Sequence, residues 1–285
     1  MTSTTSADSS LLLWALSAGI AMLTLHVALE WLRRTRQAPS LRATWSSVAL
    51  IGAVLGTGLC SSMIVAMASA GLDYPLGFRI WMALAIWFGA IVGGIGIAAA
   101  MTRAQRWWWL LASGLGFGIV AWLVQMGWVA AAGLQPGPDW TPELLVAAAS
   151  VLWIGCGAGL CAAFAPQMKT RRRRTIWLVG AAAIIAVSII AGQEVMMAAG
   201  GLTDQVSSIY SDELPASILG LACGILTPLA LGAMATDLAV RRDQERRRRR
   251  SKALAPRSFA VSQFPDPGPD SRFARHPPSE RQETH

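Results

Sequence analysis

The sequence predicts an all-α membrane protein of seven transmembrane helices, N-terminus out and C-terminus in, built of one helix followed by three helix-pair repeats. Three observations predict it: a chain apolar along most of its length, seven runs long enough to cross a bilayer, and basic residues confined to one side. Of 285 residues, 54% are hydrophobic and 14% charged, with mean hydropathy +0.46. A soluble domain carries about 25% charged residues. A helical span needs roughly 20 apolar residues, and such runs occupy 11–32, 46–70, 80–102, 107–131, 144–167, 175–200 and 214–240. They leave an extracytoplasmic N-terminus over 1–10, a seven-helix domain over 11–240 and a tail over 241–285.

Each run follows from its length and its flanks. The first has no basic segment ahead of it, is too long for the apolar part of a leader, and is followed by Arg33, Arg34 and Arg36, so it reads as a retained span. The connection after it and every second connection onward are basic: Arg42, then Arg103 and Arg106, then Lys169 with Arg171 to Arg174, then the tail. The alternate connections, 71–79, 132–143 and 201–213, hold Asp73, Asp139, Glu143, Asp204, Asp212 and Glu213, with Arg79 their one basic residue. Cytoplasmic loops carry the excess of Lys and Arg, so the N-terminus and the three acidic loops are expected outside. Trp107 to Trp109 mark the inner interface, and Trp128 and Trp140 are expected in an outer aromatic belt. Gly93–Gly94 and Gly155–Gly159 suit close helix approach, and Pro228 should kink the seventh helix.

The net charge of +8 does not imply a nucleic-acid partner, because it is distributed by membrane side. Arg246 to Arg250 is expected to meet anionic lipids of the inner leaflet. The Pro-, Ser- and Arg-rich tail is too poor in apolar residues to offset its ordering entropy, so 241–285 is expected disordered. Cys60, Cys156, Cys161 and Cys223 all fall within spans and read as thiols packing as small hydrophobes. Glu30 and Asp237, near the inner ends of their spans, are expected to pair with neighbouring arginines.

Three segments resemble one another: SSMIVAMASAGL at 61–72, VQMGWVAAAGL at 124–134 and GQEVMMAAGGL at 192–202. Each ends in small residues closing on Gly-Leu, at Gly71-Leu72, Gly133-Leu134 and Gly201-Leu202, and each sits at the outer end of an even-numbered span. The repeat unit is therefore a helix pair, with the first span outside the pattern.

Residues 17–32, SAGIAMLTLHVALEWL, with His26, Ala28, Leu29 and Glu30, resemble the first helix of the MHYT domain, a bacterial integral-membrane sensor module. Gly56-Thr57-Gly58-Leu59-Cys60-Ser61 resembles that family's Gly-x-Gly-Ile-Trp-Ser lead-in, and Asp73-Tyr74-Pro75-Leu76 its following loop. The resemblance covers about residues 10–240 and is most specific in the first third. It implies about seven spans, with a Met-His-Tyr-Thr-Gly-Met motif near the outer end of three alternate helices. It also implies location in the bacterial cytoplasmic membrane, copper as a cofactor, and sensing of oxygen, carbon monoxide or nitric oxide. The motif histidines are missing here. Their places fall on Met63, on Gln125 and on Gln193, while anchoring the second repeat on Gly118 puts Leu123 there instead.

In the motif the histidine and second methionine are four residues apart and share a helix face. The corresponding positions offer Met63 and Met67, Gln125 and Met126, and Gln193, Met196 and Met197. Thioethers select Cu(I), so Met63, Met67, Met126, Met196 and Met197 are candidate copper ligands if they converge. The bland reading is that they fill gaps between Ala-rich helices, since methionine recurs at Met22, Met82, Met101, Met168 and Met234. Gln125, Gln193 and Glu194 are candidates for a polar pocket. A carboxylate within a span marks function unless it reaches the headgroups, and Glu194 suits both readings.

The expected function is a sensory or regulatory membrane protein acting through a separate cytoplasmic partner. The alternative is a small transporter or channel, or a non-sensing scaffold. A retinal photoreceptor needs an intramembrane lysine, and Lys169 and Lys252 are the only lysines. No nucleophile, base and oxyanion donor fall together and no zinc spacing occurs, so an enzyme is not expected.

Overall fold

The computed structural model describes residues 3–36, 41–69, 76–103, 106–164, 171–201, 207–210 and 213–254. Seven long helices make up nearly all of it: α1 (Ser3–Thr35), α2 (Leu41–Ser69), α3 (Ile80–Arg103), α4 (Trp107–Ala131), α5 (Pro142–Ala163), α6 (Arg171–Ala199) and α7 (Ala216–Leu254). Each holds a segment of 21 to 25 residues apolar enough to cross a membrane, from Leu12–Thr35 in α1 to Ala216–Thr236 in α7. The chain has the build of a seven-helix membrane protein, as its composition predicts.

Helices α1 to α6 pack in cyclic order, each on the next, and α1 closes the ring against α6. Because every wall is apolar, the hydrophobic effect does not select the neighbours within a bilayer; close backbone approach does. A Cβ on Gly114 would lie 2.5 Å from the Gly157 Cα, so α4 and α5 meet backbone to backbone. Gly94 of α3 meets the Gly52 carbonyl of α2 in the same way, at 2.6 Å from a built Cβ. Glycine is required at both places because any side chain would force the helices apart.

Helix α7 lies against α2, at Ser61 and Ala68, and against α1, at Leu16. It is fastened where the acidic connections lie: the Ala216 N–H donates to Leu76 O at 2.8 Å, and the Phe78 N–H to Leu214 O at 3.0 Å. Among the described spans that of α2 is the most enclosed, with α1, α3 and α7 all against it.

At the same end two short strands, β1 (Leu134–Gln135) and β2 (Ser207–Ser208), pair antiparallel, with Leu134 opposite Ser208. The Ser208 hydroxyl lies 2.7 Å from Ala132 O and 3.0 Å from Gly77 O, and it accepts from the Gly77 N–H at 3.2 Å. One side chain thus joins three connections. Arg79 is engaged there too, its guanidinium 5.9 Å from the centre of the Tyr210 ring.

The repeated Gly-Leu acquires a cause. Gly133 and Gly201 have φ of +55° and +51°, and each follows the last residues of an even-numbered helix, where a left-handed residue turns the chain and satisfies terminal carbonyls. Gly71 lies outside the described residues.

Two expectations are corrected. Trp128 is not in an interfacial belt: it is 0% exposed and meets Phe78 edge to face at 5.1 Å between ring centres. Phe78 comes from a connection fifty residues earlier, so nothing near Trp128 in the sequence announces this partner. The basic run is helical rather than unstructured, for α7 continues to Leu254. Arg, Gln, Glu, Lys and Ala are good helix formers, which favours extension of a helix already nucleated in the membrane. The expectation of disorder beyond 254 falls outside the described residues.

At the opposite, basic end Glu30 is buried and holds Arg33 at 2.9 and 3.1 Å and Arg34 at 3.3 Å, the pairing expected of it. Asp237, expected to pair likewise, lies among side chains outside the described set. All four cysteines are free thiols.

Candidate functional site

Met63, Gln125 and Gln193 each stand six residues before the last residue of their helices, α2, α4 and α6. At 1.5 Å per residue this puts all three about 9 Å in from the helix ends. All three face inward, with exposures of 1%, 2% and 5%. Leu123, the other placement for the second repeat, is 56% exposed and faces away. Equivalent positions in the three repeats therefore share one depth and one buried interior.

Hydrogen bonds draw the three helices together. The Gln193 amide nitrogen donates to the Met63 backbone carbonyl at 3.3 Å, joining α6 to α2. The Gln125 amide nitrogen donates to the Ile189 carbonyl at 3.2 Å, joining α4 to α6. Ile189 and Gln193 are four residues apart and share a face of α6. Both glutamines thus work on one side of α6, one turn apart. A buried amide must find partners because no water in the bilayer core can supply them, and backbone carbonyls are the nearest acceptors. The Gln125 Oε1, by contrast, is a buried acceptor with no protein donor.

Of the sequence candidates, Met63, Met67 and Met196 are buried in the same core, and Met126 and Met197 are half-buried at its margins. Glu194 does not join them. It is exposed on α6, turned away from Gln193 by the helical rotation between adjacent residues, near the end where headgroups would lie. Gln125 and Gln193 are both buried and each bonds a backbone carbonyl across a helix interface, whereas Glu194 lies on the exposed side of α6.

Sequence reasoning passed over the groups around this core. Cys60 lies on α2 at i−3 from Met63, fully buried on the same face. Ser61 meets Thr227 of α7 at 2.8 Å between hydroxyl oxygens, and the Ser17 hydroxyl donates to Ser62 O at 2.7 Å. These fix α7 and α1 to α2 beside the node. The clue was available: small polar residues in apolar helices bond across helix interfaces, and Ser61-Ser62 is such a pair.

Copper is the cofactor the resemblance implies. The donor chemistry fits the soft ion: three buried thioethers and a thiol on α2 and α6, with Gln125 Oε1 as an acceptor on α4. Thioether and thiolate favour Cu(I) and serve Cu(II) poorly. Among the described residues no three His, Cys, Asp or Glu side chains gather as a metal site, so methionine sulfur would have to do the holding.

The fold and this interior define an integral-membrane protein of seven helices with a small polar node among three of them. Comparison of the chain with protein families, with curated proteins and with solved structures finds no match.

Proposed function

We propose that this protein is an integral-membrane sensory or regulatory module, similar to MHYT domains, whose ligand-binding element is the Met63–Gln125–Gln193 node. The observation that carries the reading is the convergence at one depth of the three positions where the family's histidines would stand. The node would bind a small ligand or Cu(I) through the buried Met63, Met67 and Met196, with the half-buried Met126 and Met197 as further candidates. Sensing passes to a separate cytoplasmic protein, met at the basic side of the membrane. The distribution of arginines supports placing that side in the cytoplasm of a bacterial cell, with the acidic connections outside. No catalytic step is assigned to the chain.

Metal content tests it. The purified protein is loaded with Cu(I), washed and measured by mass spectrometry beside a variant with Met63, Met67 and Met196 changed to Leu. Leucine conserves volume, so the core should tolerate the exchange at a cost under about 1.5 kcal/mol per site. Stoichiometric copper that disappears in the variant supports the reading. Copper absent from both proteins removes the metal from it.

A further inference from the structure

A cavity of about 510 Å³ lies away from the node, between α2, α3 and the Ala216–Thr236 part of α7. Its cause is local. Helix α7 is fastened at its acidic end and pinned once more by Ser61 to Thr227. Pro228 follows directly inside the helix and removes a backbone donor there. The facing residues Ala53 and Gly58 on α2, and Ala222 and Ala230 on α7, are too small to fill the gap.

Shape and charge both select an occupant. On α2 the lining runs from Leu50 to Gly58, about 12 Å of helix, close to the roughly 15 Å depth of one leaflet's hydrocarbon. The walls are almost wholly apolar, and the one indole there, Trp87, already spends its N–H on the Thr57 hydroxyl at 3.3 Å. Nothing in the lining calls for a polar ligand. At the basic end Arg103 closes α3, exposed, with its guanidinium 5.8 Å from the centre of the Trp45 ring. Trp45 stands five residues before Leu50 on α2, so the Arg103 guanidinium lies about one and a half turns nearer the basic end than the cavity lining.

We propose that this cavity is a binding site for one acyl chain of an anionic phospholipid, with the headgroup phosphate held by Arg103 at the basic face of the membrane. The site differs from the general lipid surface in being walled on three sides by protein and marked by a placed cation. A lipid held there would fix the angle of α7, the helix that carries the long basic extension.

The test uses the full chain in mild detergent, offered equal amounts of phosphatidylglycerol and phosphatidylcholine, with retained lipid counted by native mass spectrometry. One phosphatidylglycerol should be retained in at least fivefold preference, the scale of one arginine acting on an anionic lipid. Ala230→Trp, which fills the cavity from an exposed position, should lower retention at least fivefold. Val187→Trp, at an exposed position of α6, a helix that contributes nothing to the lining, should not. Arg103→Gln should bring the two lipids to parity. A phosphatidylglycerol with a photoreactive acyl chain should label the wild-type peptides that contain Thr57 and Thr227, a readout that needs no variant. The proposal is overturned by wild-type protein that retains no lipid, by equal retention of both lipids, by undiminished retention in Ala230→Trp, or by labels that miss those peptides.

Discussion

The Gln193 side chain donates to the backbone carbonyl of Met63 at 3.3 Å, so α6 is tied to α2 at two buried positions that stand equally far from the ends of their helices. The Met63 carbonyl belongs to α2 and keeps its own helical partner when the amide is removed. Gln193→Leu therefore loses one interhelical bond and leaves no stranded group, a cost of about 0.6 kcal/mol by analogy with other membrane helices. Gln193→Glu puts a charge in the same buried place with only a carbonyl to face it, and costs several kcal/mol. Unfolding in graded denaturing detergent should rank wild type and Leu together and Glu far below. Equal loss in both variants would mean that the amide is not buried as described.

Gln125 and Gln193 both address the α6 face that holds Ile189 and Gln193, at one depth in the membrane. Histidine is close to glutamine in size and can take either place. The double variant Gln125→His, Gln193→His should gain copper affinity of at least tenfold over wild type and acquire Cu(II) binding, since imidazole serves Cu(II) and thioether does not. Electron paramagnetic resonance would report nitrogen ligation directly. A double variant that takes up no Cu(II) would show that the two side chains do not converge.

What the sequence made legible, and what it hid, divides along physical lines. The seven spans were legible because bilayer thickness fixes a length that few other structures need. The Gly-Leu repeat was legible because a left-handed helix cap leaves glycine behind, as at Gly133 and Gly201. The inward face of each helix was not. In a soluble helix polarity with a 3.6-residue period betrays the buried side, but here lipid and protein interior are both apolar. Gln193 and Glu194 are adjacent in the chain, yet one is buried and the other exposed, and no pattern around them says which. Trp128 was hidden for a related reason: its depth suits an interfacial indole equally well, and only Phe78 from a distant connection draws it inside.

Gly114 and Gly157 put α4 and α5 in backbone contact, so Gly114→Ala must separate them. The added Cβ would meet the Gly157 Cα at 2.5 Å and the Cys156 carbonyl at 2.9 Å, atoms that no rotamer change can move. Overpacking of this kind costs about 1–3 kcal/mol. Gly89 offers the control, for a Cβ there meets nothing within 4 Å. Gly89→Ala should leave thermal stability in detergent unchanged or slightly raised, while Gly114→Ala should lower it by several degrees. The same loss from both would point to glycine's backbone freedom rather than helix contact.

The segregation of charge makes a prediction about sidedness that is independent of the node. Glu30 holds Arg33 and Arg34 at the basic end of α1, and Arg103 lies over Trp45 at the same end of α3 and α2, so these arginines are anchored to one face of the bundle. The opposite face presents Gly137 in an exposed connection where an added side chain meets nothing within 4 Å. In intact cells Gly137→Cys should react with a membrane-impermeant maleimide, while Ser251→Cys, in the basic extension, should react only after permeabilisation. Native thiols give little background, three of the four being buried. The reverse pattern would place the arginines outside. That would overturn the orientation, the cytoplasmic partner and the inner-leaflet position of the lipid site together, while leaving the convergence of Met63, Gln125 and Gln193 untouched.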